Sequence, residues 1–97
     1  MVEKTLTVKG RLGLHARAAA KLVHVASSFR SKLLLQRVDG SAKADAKSIL
    51  SVLMLAASRG TELRALAEGD DEQEAMKAME QLFFSGFDEL QEETSNR

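Results

Sequence analysis

The spacing of apolar residues changes repeatedly along the chain between the two-residue period of a β-strand and the 3.6-residue period of a helix. Strand-like and helix-like segments follow each other in the order strand, helix, strand, strand, helix, strand, helix within 97 residues. A chain of this length forms one domain with a modest core. We therefore predict an α+β fold of two layers, with the helices on one side of a mostly antiparallel sheet. The spacing does not predict the order of the strands in the sheet.

The boundaries of the segments follow from residues that start and stop helices and strands. We predict strands at about residues 2–8, 32–38, 41–45 and 61–68, and helices at about 16–29, 47–59 and 70–85. Asp39-Gly40 favours a tight hairpin between the second and third strands, and Gly60 is expected directly after the second helix. This second helix is apolar on all sides, so it is either deeply buried or partly exposed as a docking patch. Residues 1–90 are expected to form the domain and residues 91–97 a disordered tail.

Composition argues against several classes of protein. The chain contains no cysteine, which excludes disulfides and thiolate metal sites. No apolar stretch approaches the roughly 20 residues that span a bilayer, and the N-terminus lacks the apolar segment of a signal peptide. We expect a cytoplasmic protein with no membrane contact, no bound metal and no cofactor.

Charge is distributed unevenly between the two halves of the chain. Residues 1–47 contain ten Lys and Arg but three Asp and Glu, whereas residues 48–97 contain four and eleven. A basic half attracts acidic surfaces, which suit either a protein or a nucleic acid as partner. RNA-binding sheets use stacking aromatic residues, and the four aromatics here are phenylalanines outside the predicted strands. We therefore expect protein partners and no nucleic acid.

The stretch from Gly10 to Lys21 places a histidine where a loop becomes a helix. Glycines precede His15 and alanines, which favour helices, follow it, so His15 is the expected N-cap. Backbone N–H groups at a helix start are without intrahelical partners and attract anions. Arg17 adds a planar fork of donors that matches phosphate, and no acidic residue lies between Gly10 and Val38. From the residues alone, two interpretations stay open: a phosphoryl site, or two solvated surface side chains.

Three separated motifs resemble those of the HPr family, the histidine-containing phosphocarriers of the bacterial phosphoenolpyruvate-dependent phosphotransferase system. Gly13-Leu14-His15-Ala16-Arg17-x-Ala19-Ala20 is similar to the active-site motif of this family. Ala46-Lys47-Ser48-Ile49 is similar to its regulatory serine segment. Gly60-Thr61-Glu62-Leu63 and Glu68-Gly69-Asp70-Asp71-Glu72 are similar to its last strand and the start of its final helix. The resemblance implies an open-faced β-sandwich in which three helices cover one face of four strands.

The resemblance also implies a function. His15 would receive a phosphoryl group on Nδ1 from phosphorylated enzyme I and pass it to a histidine of an enzyme IIA component in sugar uptake. Arg17 and the backbone N–H groups of Ala16 and Arg17 would bind the phosphoryl oxygens. The protein would be a carrier and not an enzyme, and we expect a monomer.

Further sites are implied for regulation and docking. Ser48 is the candidate for regulatory phosphorylation by an HPr kinase/phosphorylase. The expected docking residues are basic or apolar and lie near the site: Lys21, Lys47, Ile49, Leu50, Val52 and Leu53.

Two features of the sequence leave the details open. Ala18 stands where the family usually has proline, which loses some pre-organisation of the first helical turn. Leu53-Met54-Leu55 and residues 82–89 are similar to the nitrogen-branch homologue, whose phosphate flow is regulatory. The alternatives to a sugar-branch carrier are therefore a nitrogen-branch carrier and a regulatory binding module of the same fold that transfers no phosphoryl group.

Overall fold

We analysed a computed structural model, which describes residues 1–87. Four strands and three helices follow the predicted order: β1 Val2–Thr7, α1 Ala16–Ser27, β2 Lys32–Arg37, β3 Lys43–Asp45, α2 Ile49–Leu53, β4 Glu62–Glu68 and α3 Glu72–Phe84. The strands form one sheet in the order β1-β4-β2-β3, and every pair is antiparallel. The predicted fold class is confirmed. The predicted tail at residues 91–97 and the predicted end of the domain at residue 90 lie outside the described residues.

The sheet buries one face because its strands alternate as expected for a half-buried sheet. In β4 the buried residues are Leu63, Ala65 and Ala67, and the residues between them are exposed or half-buried. Small side chains at this central strand let α3 pack closely on the sheet, and α1 packs beside α2 and α3. Leu22 of α1, Met76 and Met79 of α3 and Val52 of α2 complete the same core.

The second helix is much shorter than predicted. It ends at Leu53 with Met54 as its C-cap, six residues after its N-cap Ser48 and six residues before Gly60. Ala56 has φ of +51°, a left-handed conformation that ends helical geometry. The residues after α2 instead form a loop, 54–58, whose carbonyls are hydrogen-bonded by other parts of the chain. The prediction of a helix up to Gly60 was therefore wrong.

The third helix ends as its glycine predicts. Gly86 has φ of +66°, its N–H donates to Phe83 O, and the N–H of Phe87 donates to Leu82 O. These two bonds form a Schellman motif, with Phe87 packed edge-on against Phe83 at a ring distance of 4.9 Å. Both rings are buried, so the end of α3 is fixed against the core.

Candidate functional site

His15 is the N-cap of α1, as predicted. Its backbone is extended, with φ of −77° and ψ of −179°, and its carbonyl accepts the first bond of the helix from Ala19 N–H at 2.8 Å. The Nδ1 atom of its half-buried ring accepts a hydrogen bond from Arg17 N–H at 3.3 Å. The imidazole therefore takes the place that a Ser or Asp side chain has at most helix starts. Nδ1 is the nitrogen that faces the backbone donors of the first turn.

The loop before His15 is held against the loop that follows α2. Leu14 is buried, and its N–H donates to Ala57 O at 2.8 Å. Gly13 has φ of +68°, and a Cβ there would lie 2.6 Å from Ala57 O. Only glycine combines this conformation with such a close approach. The position of His15 thus depends on the backbone of residues 57 and 58.

The start of α1 carries cationic side chains and no acidic residue in its first turn. Arg17 is exposed, whereas Lys21 is half-buried and its Nζ donates to Phe87 O at 2.9 Å. Lys21 therefore has a structural contact in addition to its charge. His24 is exposed in the last turn of α1, nine residues from His15 or about 14 Å along the helix. It is too distant along the helix to share the site.

Ser48 is the N-cap of α2, next to the predicted start of this helix at about residue 47. Its Oγ accepts a hydrogen bond from Ser51 N–H at 3.3 Å. Lys47, directly before it, is half-buried, and its Nζ donates to Phe29 O at 2.8 Å near the end of α1. The ammonium of Lys47 therefore joins α2 to α1, which the sequence pattern did not indicate.

The structure divides the predicted apolar docking residues. Ile49 is 44% exposed and Leu50 is 69% exposed, whereas Leu53 is half-buried. Val52 is fully buried in the core, so it offers no surface to a partner and its assignment as a docking residue was wrong. The all-round apolar pattern of α2 did not reveal which side faces the core.

Two exposed apolar residues of this region were missed in the sequence. Met54 is 71% exposed directly after α2, and Leu12 is 62% exposed in the loop before His15. Met54 lies four residues after Leu50, a spacing that places both on one side of a helical turn. Leu12 lies in the same loop as the buried Leu14, so its position alone did not indicate exposure. The spacing of Met54 was the signal available in the sequence.

Within residues 1–87, no three His, Asp or Glu side chains are grouped so that they could hold a metal ion. No helix in that part of the chain is long and apolar enough to cross a membrane. The groups present at the start of α1 are an imidazole nitrogen, backbone N–H groups and cationic side chains. Such a set suits a nucleophile that accepts an anionic group.

Comparisons with known proteins identify the same chemistry. Residues 2–85 match the family model described as PTS HPr component phosphorylation site. The phosphocarrier protein HPr of Xylella fastidiosa (strain Temecula1) is 47% identical over 89 residues, covering 92% of this chain and 98% of that protein. The phosphocarrier protein NPr of Escherichia coli (strain K12) is 39% identical over 88 residues, covering 91% and 97%.

The fold agrees with these relatives. The crystal structure of HPr-C-His from Thermoanaerobacter tengcongensis has a TM-score of 0.84 and 42% identity, and the match covers 90% of this chain and 96% of that one. The family match over most of the chain, relatives aligned over nearly their full length and a similar three-dimensional structure agree. The chain belongs to the HPr family, the phosphocarrier proteins of the phosphotransferase system, which carry a phosphoryl group and are not themselves catalysts.

Proposed function

We propose that His15 accepts a phosphoryl group on Nδ1 from phosphorylated enzyme I and passes it to a histidine of an enzyme IIA component in sugar uptake. The observation that carries this proposal is the contact between His15 Nδ1 and the backbone N–H of Arg17. It directs the ring nitrogen toward the positive end of the α1 dipole, where an added anion is stabilised. An imidazole nitrogen with a free lone pair is a nucleophile that can form a covalent bond to phosphorus.

During the transfer, Nδ1 of His15 exchanges its hydrogen bond at the start of α1 for a covalent bond to phosphorus. The lone pair of Nδ1 leaves the Arg17 N–H and forms a bond to phosphorus, while the bond between phosphorus and the donor breaks and its electron pair stays on the donor. The phosphoryl oxygens then accept hydrogen bonds from the backbone N–H groups of Ala16 and Arg17. The Arg17 guanidinium adds a second, forked set of donors. Passing the group onward reverses these steps.

Docking is proposed for the exposed apolar residues that flank the site. Ile49 and Leu50 lie at the start of α2, and we add Met54 and Leu12 to them because of their exposure. The loops that carry Leu12 and Met54 touch each other through the Leu14–Ala57 bond. Around this patch, Lys21 and Lys47 contribute positive charge, and the half-buried Leu53 contributes apolar support. The combination is suited to acidic partner proteins.

Ser48 is proposed as a regulatory site for an HPr kinase/phosphorylase. A phosphoryl group there would add nearly two negative charges directly beside Ile49 and Leu50. We also propose that the protein is cytoplasmic and monomeric, as the proposed exchange between successive partners requires a freely diffusing carrier.

The proposal is tested by incubating the protein with enzyme I and phosphoenolpyruvate and measuring its mass. We expect one added phosphoryl group that is lost in acid, retained in His24→Ala and absent from His15→Ala. Phosphorylation of His15→Ala to the same extent would refute the site.

A nitrogen-branch carrier is the second candidate, favoured by the similarity of Leu53-Met54-Leu55 to that branch. Relatives named HPr and NPr both match nearly the full length of this chain. Offering the phosphorylated protein to enzyme IIA components of both branches separates the two candidates. Transfer only to the nitrogen-branch component would overturn the sugar-uptake role. A binding module without phosphoryl transfer would accept no phosphoryl group at all.

A further inference from the structure

The loop of residues 54–58 connects α2 to β4 and also supports the residues before His15. Its Ala57 carbonyl accepts the Leu14 N–H at 2.8 Å, one residue from His15. The same carbonyl lies so close to Gly13 that a side chain there has no room. A shift of this carbonyl would therefore move the N-cap of α1.

The two preceding carbonyls of the loop are both hydrogen-bonded by one arginine. Arg37, the last residue of β2, donates from Nη1 to Leu55 O at 3.1 Å and to Ala56 O at 3.3 Å. Its backbone N–H donates to Ala42 O at 2.9 Å, and its Nε lies 3.5 Å from Asp39 Oδ2. Backbone and side chain of Arg37 are thus both fixed by the β2–β3 hairpin.

Ala56 explains why the loop needs this support. Its φ of +51° is unfavourable for a residue with a Cβ atom, so the conformation persists only if surrounding contacts hold it. The two hydrogen bonds from Arg37 fix the carbonyls on both sides of the Ala56 φ and ψ angles. Glycine would adopt the same conformation without such help.

We propose that Arg37 is a positioning residue for His15. It acts through its hydrogen bonds to the carbonyls of Leu55 and Ala56, and then through the hydrogen bond from Leu14 N–H to Ala57 O. The phosphoryl-transfer part of this inference rests on the proposed function of His15. Its geometric part does not, because the position of Leu14 and His15 can be measured without any partner protein.

The test compares Arg37→Gln with Arg59→Gln, which removes the same charge from an exposed residue of the neighbouring turn. We expect Arg37→Gln to accept the phosphoryl group from enzyme I about tenfold more slowly, through kcat and not KM, because a misplaced nucleophile lowers the rate and leaves docking intact. Arg59→Gln should retain the full rate. Arg37→Lys keeps the charge and most of the aliphatic side chain, so its rate of phosphoryl acceptance is expected to lie between the rates of Arg37→Gln and the unmodified protein. This second variant keeps the test valid if Arg37→Gln weakens the fold.

Nuclear magnetic resonance tests the geometry in the same proteins. We expect Arg37→Gln to shift the Leu14 and Arg17 amide signals and the His15 ring signals, with His24 unchanged as an internal reference. Adding Ala56→Gly to Arg37→Gln should restore both the signals and the rate by about half or more, since glycine removes the need for support.

The possible results distinguish the role of Arg37 from the proposed function of His15. Unchanged Leu14 and His15 signals in Arg37→Gln would overturn the inference, and so would a slower rate that comes entirely from a higher KM. Failure of Ala56→Gly to restore the signals would also overturn it, because the proposed route passes through Ala56. If the unmodified protein accepts no phosphoryl group, the proposed function fails, while the nuclear magnetic resonance comparison still decides the role of Arg37.

Discussion

The backbone N–H groups in the first turns of α1 and α3 lie outside the i to i−4 hydrogen-bond series of their helices, but the two helix starts differ in their charges. At α3, Glu72 accepts the Gly69 N–H at 3.1 Å and pairs with the N-terminal ammonium at 2.9 Å, and Glu74 adds a second acidic group. At α1, the first turn has no acidic residue and the cap is an imidazole. The start of α3 carries its own anions, whereas the start of α1 is suited to an anion that comes and goes.

The largest expected effect comes from making α1 resemble α3. His15→Asp should abolish phosphoryl acceptance by enzyme I completely, because a carboxylate occupies the anion site and the nucleophilic nitrogen is gone. The fold should be retained or slightly stabilised, since Asp is a preferred N-cap. Mass spectrometry after incubation with phosphoenolpyruvate measures the first effect, and urea unfolding measures the second.

His24→Gln is the matched control, because it removes the other imidazole and should keep full acceptance. A large loss of stability in His15→Asp would contradict the comparison between the two helix starts, as it would mean that α1 does not tolerate a carboxylate cap.

A smaller effect is expected from Arg17→Lys, which keeps the charge at the start of α1 and removes the fork. Transfer should slow by about tenfold, because a point charge does not reproduce bidentate bonds to phosphoryl oxygens. The rate of phosphorylation by enzyme I at fixed salt provides the measurement. Arg64→Lys, on an exposed position of β4, is the control and should change nothing. Equal rates for the unmodified protein and Arg17→Lys would reduce Arg17 to long-range attraction.

The start of α3 predicts a dependence of folding stability on pH. Asp71 accepts hydrogen bonds from Ser31 Oγ and from the N–H groups of Arg30 and Ser31, and these bonds lower the pKa of its carboxyl, with the Ser31 side chain as the first cause. The folded-state pKa lies below the unfolded value, so the stability from this group is present above about pH 4 and is lost as pH falls through the folded pKa.

The measurement is the urea midpoint between pH 6 and pH 2.5. Asp71→Asn should lower the midpoint at pH 6 and reduce its fall at low pH, and the protonated native protein should approach the variant. Asp70→Asn, one residue earlier and exposed, is the control that should keep the original pH dependence. An unaltered profile in Asp71→Asn would show that the contacts to Ser31 contribute nothing to folding.

The helix ends also show which parts of the structure can be predicted from the sequence. The caps His15 and Ser48 and the Gly86 terminus were predictable because they depend on neighbouring residues. The end of α2 was not, since Ala56 takes its left-handed conformation in contact with Arg37, nineteen residues away. The contact of Lys21 with Phe87 is equally distant from any local pattern.

The order of the strands and the burial of individual residues were also not predictable from local sequence. Periodicity describes each strand separately, so it does not indicate that β4 lies between β1 and β2 in the sheet. In α2, Leu50 and Val52 have similar side chains, yet one is 69% exposed and the other is fully buried. Only the packing of α2 against its neighbours distinguishes them.

Ser48 provides an intermediate case, a neutral cap that can acquire an anion. Ser48→Ala should lower the free energy of unfolding by about 1 kcal/mol, because it removes the bond from Ser51 N–H, and transfer should stay near normal. Ser48→Asp should keep the midpoint and weaken association with enzyme I, since its charge lies beside Ile49 and Leu50. Titration with enzyme I measures this association. Unchanged affinity for the aspartate variant would leave Ser48 with a capping role alone.

The smallest effect is expected at Ala18, which has a buried methyl group in the first turn of α1. The first backbone bond of this helix comes from the Ala19 N–H, so proline at residue 18 removes no bond from the helical series. Proline lowers the entropy of the unfolded chain but disfavours the helical conformation of Arg17 before it. These terms oppose each other, so Ala18→Pro should change the free energy of unfolding by less than about 1 kcal/mol and leave transfer near normal.

Urea unfolding and the enzyme I assay test Ala18→Pro, with Ala20→Pro as the control. Residue 20 lies beyond the first unpartnered N–H groups, so proline there removes a backbone bond and should cost about 3 kcal/mol. A similar loss in both variants would show that the first turn of α1 is as closely constrained as its interior. The geometry of the proposed anion site would then depend on the whole of α1, and the starts of α1 and α3 would differ only in the charges of their side chains.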